Sequence, residues 1–192
     1  MSATPTHDTR GTPSSWVSRW AHLLPAGGSV LDVACGAGRH AAYFSELGYA
    51  VTGVDRDTNA AQDLADTVAL VQADIENGPW PLIFNGNPVQ FQAVVVTNYL
   101  WRALFPTLLA SVAPGGVLLY ETFTVDNETV GRPSRPDFLL RSGELLEVCK
   151  GLHIVGYECG YVDNPPRFVQ RIAAIQAGPC LQTIDSPVRY PL

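Results

Sequence analysis

The sequence predicts an α/β fold: a doubly wound, mostly parallel seven-stranded sheet of Rossmann-like type with a C-terminal antiparallel hairpin. Three observations predict it. Short, continuous apolar runs alternate with stretches of helical periodicity, the pattern of parallel strands covered on both faces. A glycine-bearing turn, Cys35-Gly36-Ala37-Gly38, joins the first such run to the first long helical stretch. The last two runs are separated by only about eight residues, including Pro165-Pro166, too few for a crossover helix, so they should pair antiparallel.

Residues 1 to 13 read as a flexible leader, 14 to 178 as one domain, and 179 to 192, with Pro179, Pro187 and Pro191, as a tail or edge wrap. The domain opens with a short amphipathic helix. Ser14 or Ser15 caps it, Trp16, Trp20 and Leu23 or Leu24 recur on one face, and Pro25 with Gly27 and Gly28 ends it. A strand over 29 to 34 leads through the glycine turn into a helix over 39 to 47, closed by Gly48, and then into a strand over 50 to 54. A helix over 59 to 65 and strands over 68 to 72 and 93 to 97 continue the alternation. Next come a helix near 103 to 112, Pro114-Gly115-Gly116, and a strand over 117 to 122. A polar insert rich in Arg and Pro fills 124 to 141, before a helix over 143 to 150 and hairpin strands over 152 to 159 and 168 to 176.

Composition narrows the function. The chain has 192 residues, about one domain's worth, with 46% hydrophobic and 16% charged residues, which excludes general disorder. Twelve basic against eighteen acidic side chains leave a net charge of −6, and a pI near 5.1. Backbone binding to nucleic acid relies on clustered Lys and Arg, so a small-molecule partner is expected instead, without nucleic acid or membrane. No apolar run approaches the roughly 20 residues that cross a bilayer, and the first fifteen residues lack a secretory apolar stretch, so a cytoplasmic protein is expected. Cys35, Cys149, Cys159 and Cys180 form no CxxC pair and read as reduced thiols; no metal site is expected.

In doubly wound sheets, ligands bind beyond the carboxyl ends of the strands where strand order reverses. Gly36 and Gly38 let a backbone approach a ligand there, and the helix after them points its positive end into the same space. Asp55 ends the second strand seventeen residues after Gly38, where a carboxylate can accept from both hydroxyls of a ribose. Asp74 follows nineteen residues later, after the third strand, where it can accept from an exocyclic amine while the Ile75 amide donates to a ring nitrogen. Singly, each acid is equally a helix cap or a solvated turn; three acids at successive strand ends, Asp32 included, point to a nucleoside ligand.

These blocks resemble the class I S-adenosylmethionine-dependent methyltransferases. The resemblance runs through residues 30 to 57 (VLDVACGAGRHAAYFSELGYAVTGVDRD), Ala73-Asp74-Ile75, 93 to 100 (AVVVTNYL) and 113 to 122 (APGGVLLYET). Residues 137 to 146 (DFLLRSGELL) are similar, more loosely, to a small bacterial branch that includes the tellurite-resistance methyltransferases. The resemblance implies an enzyme that uses S-adenosyl-L-methionine, with Gly36 and Gly38 facing the methionyl part, Ala34 beside them and Asp32 directed at the amino group. It further implies Asp55 and Arg56 at the ribose, Asp74 and Ile75 at the adenine, and Asn98 and Tyr99 nearest the sulfonium and the nucleophile. The signature of adenine and exocyclic-amine DNA methyltransferases, Asn or Asp before Pro-Pro-Tyr, is missing after the fourth strand.

The main competitor is an NAD(P)-dependent oxidoreductase, since residues 36 to 41 formally satisfy GxGxxG/A. Asp32 argues against it, because a carboxylate repels a pyrophosphate but suits an ammonium. A catalytically silent methyltransferase-like binding protein is the third reading. Candidates for a base are Glu121, His40 and Tyr99; Glu121 reads equally as an Arg partner, and His40 as a cofactor neighbour or surface residue. Arg132, Arg135 and Arg141 in the insert suit a lid that gathers an anionic substrate. The alternative is a proline-stiffened surface loop paired with Asp126, Glu128 and Asp137. Trp101 is expected to shape the substrate pocket, while Trp16 and Trp20 either cover the cofactor or dock their helix on the sheet. The acceptor and the oligomeric state are not legible in these residues.

Overall fold

The strand order follows from where each apolar run can bury both of its faces. A computed structural model describes residues 10–178 and 189–192. In chain order the strands are β1 (Ser29–Val33), β2 (Ala50–Asp55), β3 (Val68–Gln72), β4 (Ile83–Phe84), β5 (Asn87–Pro88), β6 (Phe91–Thr97), β7 (Val112–Phe123), β8 (His153–Asp163) and β9 (Pro166–Ile175). The α-helices are α1 (Ser15–Trp20), α2 (Arg39–Glu46), α3 (Phe105–Ala110) and α4 (Glu144–Val148). Seven strands form one sheet in the order β3-β2-β1-β6-β7-β9-β8, with the first five parallel and β9 antiparallel to both neighbours. The winding reverses between β1 and β6, which opens a crevice at their carboxyl ends.

Alternate residues of the central strands enter two cores. Val30, Val95, Leu119 and Ala173 pack on one face beneath α1 and α2. Leu31, Val94, Leu118 and Ile172 pack on the other with Leu108 of α3 and Leu145 of α4. Gln170 shows how a polar side chain is satisfied in this interior. Gln170 is fully buried, accepts from the Leu145 amide at 2.8 Å and donates to the Arg141 carbonyl at 2.9 Å, which caps α4.

Several elements differ from expectation for local reasons. The stretch expected as a helix over 59 to 65 is a 3-10 turn, Asn59–Leu64, whose Ala61 and Leu64 share one buried face at the i, i+3 spacing of that geometry. The hairpin arms are longer than expected and leave only Asn164-Pro165 as the turn, because Tyr161 and Phe168 face each other across the extension with ring centroids 5.0 Å apart. The β4–β5 hairpin was not anticipated; its signal is Asn85-Gly86, both left-handed, at φ 49° and 78°. Of the expected leader, residues 10 to 13 are described, and Arg10 pairs with Asp63. Of the expected tail, only 189 to 192 are described, with Tyr190 against His153 at 5.1 Å.

α1 docks on the sheet through both of its tryptophans. Trp16 donates through Nε1 to the Ile172 carbonyl at 3.2 Å, and Trp20 is 1% exposed with its indole directly over Gly156. A Cβ at Gly156 collides with that ring, while one at Gly160, on the same strand, meets nothing within 4 Å. Gly156→Ala should therefore cost about 1–3 kcal/mol in urea denaturation, as overpacking does, while Gly160→Ala should stay within about 0.5 kcal/mol of wild type.

Candidate active site

Beyond β1 the chain must leave the parallel ladder and turn into α2, and it does so through left-handed residues at Ala34 (φ 53°), Gly36 (φ 55°) and Gly38 (φ 77°). The two glycines serve different ends. A Cβ at Gly36 meets only open space in the crevice, so the backbone there is bare to a ligand. A Cβ at Gly38 would lie 2.6 Å from Leu64 Cδ1, so Gly38 answers to packing and to its helix cap. It lines none of the cavities that Gly36 and its neighbours bound.

Two carboxylates hold this turn. Asp55 accepts from the Gly36 amide at 2.8 Å and from the Asp57 amide at 3.1 Å. Asp32, 1% exposed, accepts from the Ala41 amide in the first turn of α2 at 3.0 Å, and so supplies the cap that Gly38 lacks. Asp32 lines none of the three cavities described below; one of its carboxylate oxygens holds the helix end. At the end of β3, Asp74 accepts from the amides of Glu76 and Asn77 and from the Asn77 side chain, all within 3.1 Å. Those bonds, the Asn77 side chain first, hold its carboxyl below the ordinary value.

Three contiguous cavities follow the strand ends. One of about 460 Å³ is bounded by Ala34, Asp55, Arg56, Asp74, Ile75 and Tyr99. A second, about 190 Å³, runs along Gly36, Arg39, His40 and Asn98 and is closed on the N-terminal side by Arg10. A third, also about 190 Å³, lies behind Asn98 and Tyr99 and is walled by Leu100, Phe123 and Phe138. Ala34 joins the first to the second, Asn98 the second to the third, and Tyr99 and Glu76 the third to the first. Asn98 sits at this junction with φ 53°, the strained backbone that strand-end sites tend to carry. Ala34, Gly36, Asp55, Arg56, Asp74, Ile75, Asn98 and Tyr99 are thus brought together. Sequence reasoning missed Arg10, Glu76 and Phe138; Glu76, two residues past Asp74 at a strand end, was the one with a positional signal.

Glu121 is no part of the mouth. It is 1% exposed, 2.6 Å from Arg171 Nε on the facing strand and 3.9 Å from Arg167, and it accepts from the Ser14 hydroxyl at 3.1 Å. A charge held inside the sheet by arginine serves structure. His40 joins the same arrangement. Its Nε2 accepts from the Ser14 amide at 3.1 Å, which leaves the proton on Nδ1, 3.3 Å from the Thr97 hydroxyl. Burial, with Arg39 nearby, pushes this imidazole down to about 3, so it stays neutral and ties the start of α1 to the end of β6.

The insert is anchored. Arg102 grips Glu144 through Nε at 2.7 Å and a terminal nitrogen at 2.9 Å, and also donates to the carbonyls of Asp137 and Leu139. Thr124 donates to the Leu140 carbonyl at 2.8 Å and so closes the loop at its base. Arg132 and Arg135 are exposed and line no cavity, and Arg135 pairs with Asp137 at 3.2 Å. That geometry is the surface-loop alternative. Trp101 is half-buried against the second core and also lines no cavity; Tyr99 and Phe138 hold the place expected for it.

Burial pushes the Asp32 carboxyl up from 3.8 to about 7, against the Ala41 amide, which pulls it down. The unfolded chain ionises this acid above 3.8 and the native chain only near 7, so Asp32 progressively costs stability as pH rises between those values. Asp32→Asn keeps an oxygen for Ala41 and removes the titration. Urea denaturation should show the variant gaining on wild type from pH 4 to pH 8 by on the order of a few kcal/mol, and a constant difference across that range would contradict the assignment.

The family model for a methyltransferase domain matches residues 6–154. A ubiquinone biosynthesis O-methyltransferase from Paraburkholderia phytofirmans is 28% identical over 125 residues, covering 62% of this chain and 53% of its own length. Among solved structures, TehB from Haemophilus influenzae superposes with a TM-score of 0.68 at 22% identity, over 88% of this chain and 64% of its own. The glycopeptide N-methyltransferase MtfA, complexed with sinefungin, gives 0.59 at 19% identity, over 90% and 98%. The chain thus spans about half the length of the curated relative and under two thirds of the TehB chain. Residues 6–154 hold the glycine turn, the three strand-end acids and the junction at Asn98, and with them the chain belongs to the methyltransferase-domain family and has the class I S-adenosylmethionine-dependent methyltransferase fold.

Proposed function

We propose that the chain binds S-adenosylmethionine and transfers its methyl group to a small molecule. One observation carries the reading: Asp55 and Asp74, with Ile75 directly after Asp74, bound a single cavity of about 460 Å³. The donor set fits the group. Asp55 keeps free lone pairs for vicinal hydroxyls, Ile75 offers an apolar wall to a flat ring, and Asp74 keeps acceptor capacity for an amine. The bare backbone at Gly36 leaves room in the adjoining cavity for the rest of the molecule.

The bound cofactor supplies an electrophilic methyl on a leaving group that is already activated. The protein's part is alignment and the exclusion of water, which in well-oriented systems is worth roughly 7–11 kcal/mol. Asn98 and Tyr99, where the three cavities meet, are the residues that position the reacting groups. A dinucleotide is disfavoured, because the first turn of α2 faces the buried Asp32 carboxylate where a pyrophosphate needs open amides. The expectation of an anionic acceptor loses its support with the outward placement of Arg132 and Arg135.

Calorimetric titration with S-adenosylmethionine, S-adenosylhomocysteine and NADP tests the reading. The two adenosyl ligands should bind and NADP should not; the reverse pattern would sink it. Asp55→Asn should weaken both adenosyl ligands about tenfold or more, since it takes a charged acceptor from the ribose hydroxyls.

A further inference from the structure

We propose that Glu76 and Tyr99 handle the methyl acceptor, and that this acceptor is a small uncharged or cationic molecule presenting an O–H or N–H group. The inference rests on the methyl-transfer reading above and concerns the third cavity. Both residues line that cavity as well as the larger one, so they stand at the only wall the two share besides Phe138. The Tyr99 oxygen is buried and makes no hydrogen bond of regular geometry among the described residues, with the Glu76 carboxylate as its polar neighbour. A buried hydroxyl without a regular bond keeps capacity for a ligand atom beside that carboxylate.

The charge of the cavity selects the ligand. Leu100, Phe123 and Phe138 give it an apolar and aromatic body, and Glu76 is the one ionisable acid on its walls. Among the described residues no Arg, Lys or His lines it. Arg135 is engaged with Asp137 and the Phe138 ring, and Arg141 with Glu144. Burial first, then the charge of Glu76 and its hydrogen bond, then the charges of Asp74 and Asp55, raise the Tyr99 phenol, so three carboxylates act on this one point. An anion entering here is repelled by all three, whereas an ammonium or a neutral hydroxyl is not. Aromatic walls add a favourable surface for a cation.

The step balances with these groups. A Glu76 carboxylate oxygen takes the acceptor's proton, before attack when the acceptor is an ammonium and during it when it is a hydroxyl; the lone pair on oxygen or nitrogen forms the bond to the methyl carbon as the carbon–sulfur bond breaks, and the pair of that bond stays on sulfur. Tyr99 Oη holds the acceptor's polar atom in place.

Three probes of one shape and different charge test this by equilibrium binding: benzylamine, benzyl alcohol and benzoate, titrated calorimetrically at neutral pH into protein saturated with S-adenosylhomocysteine. The amine and the alcohol should bind at least ~10-fold more tightly than benzoate. Glu76→Gln should cut the affinity for the amine about tenfold and close its gap to benzoate. Tyr99→Phe should weaken the alcohol several-fold and leave the gap between amine and benzoate intact. Benzoate binding as well as the amine in wild type, a charge ranking unmoved by Glu76→Gln, or no binding of any probe at its solubility limit would each overturn the proposal. Failure of S-adenosylhomocysteine to bind in the preceding titration removes the methyl-transfer reading itself and is seen before any acceptor is added.

Discussion

A parallel strand that ends inside a protein must do something with the backbone groups its neighbours no longer satisfy, and the site grows from how β1 meets that demand. Asp55 takes the Gly36 amide and Asp32 takes the Ala41 amide, so two carboxylates from two different strands shape one turn. With the turn held, Ala34 and Gly36 keep their left-handed backbone and leave the crevice bare of side chains at that point. The acids that read as ligand contacts are structural members first. Asp55 supports the turn and still faces the cavity, while Asp32 holds the helix through one oxygen and lines none of the three strand-end cavities.

A second polar arrangement closes the opposite side. Thr97, His40, Ser14, Glu121 and Arg171 form a continuous chain from the end of β6, through the start of α1, into the antiparallel edge. Arg171 continues it to Glu158, and Glu158 to Arg19 on α1. The buried charge of Glu121 is tolerable because guanidinium groups and a hydroxyl surround it. This chain carries the N-terminal segment to the crevice, where Arg10 forms part of the wall.

The glycine turn, Asp55, Asp74 and Asn98 were legible because strand ends are fixed by hydrophobic periodicity, and residues at strand ends converge whatever the details of packing. Glu76 and Phe138 were harder to read. Glu76 has only its place two residues past Asp74 as a signal, and the fold is what sets it on the walls of two cavities beside Tyr99. Phe138 is brought in by an insert whose path depends on the Arg102–Glu144 pair, a contact 42 positions apart in the chain. For Arg132 and Arg135, residue type alone left both a lid and a surface loop open, and the same anchor settles their outward direction.

What the amino-acid sequence determined by itself was the layered architecture, the order of its elements and the strand ends along which the cavities lie. Those rest on short-range patterns: two-residue and 3.6-residue periodicities, turn residues and spacing. Tertiary structure alone decided which carboxylates face a cavity, that Glu121 and His40 are locked into the scaffold, and that the third cavity has an acid and, among the described residues, no cation on its walls. The physical reason is that a side chain's role follows from the partner that reaches it first, and those partners come from strands and loops far away along the chain.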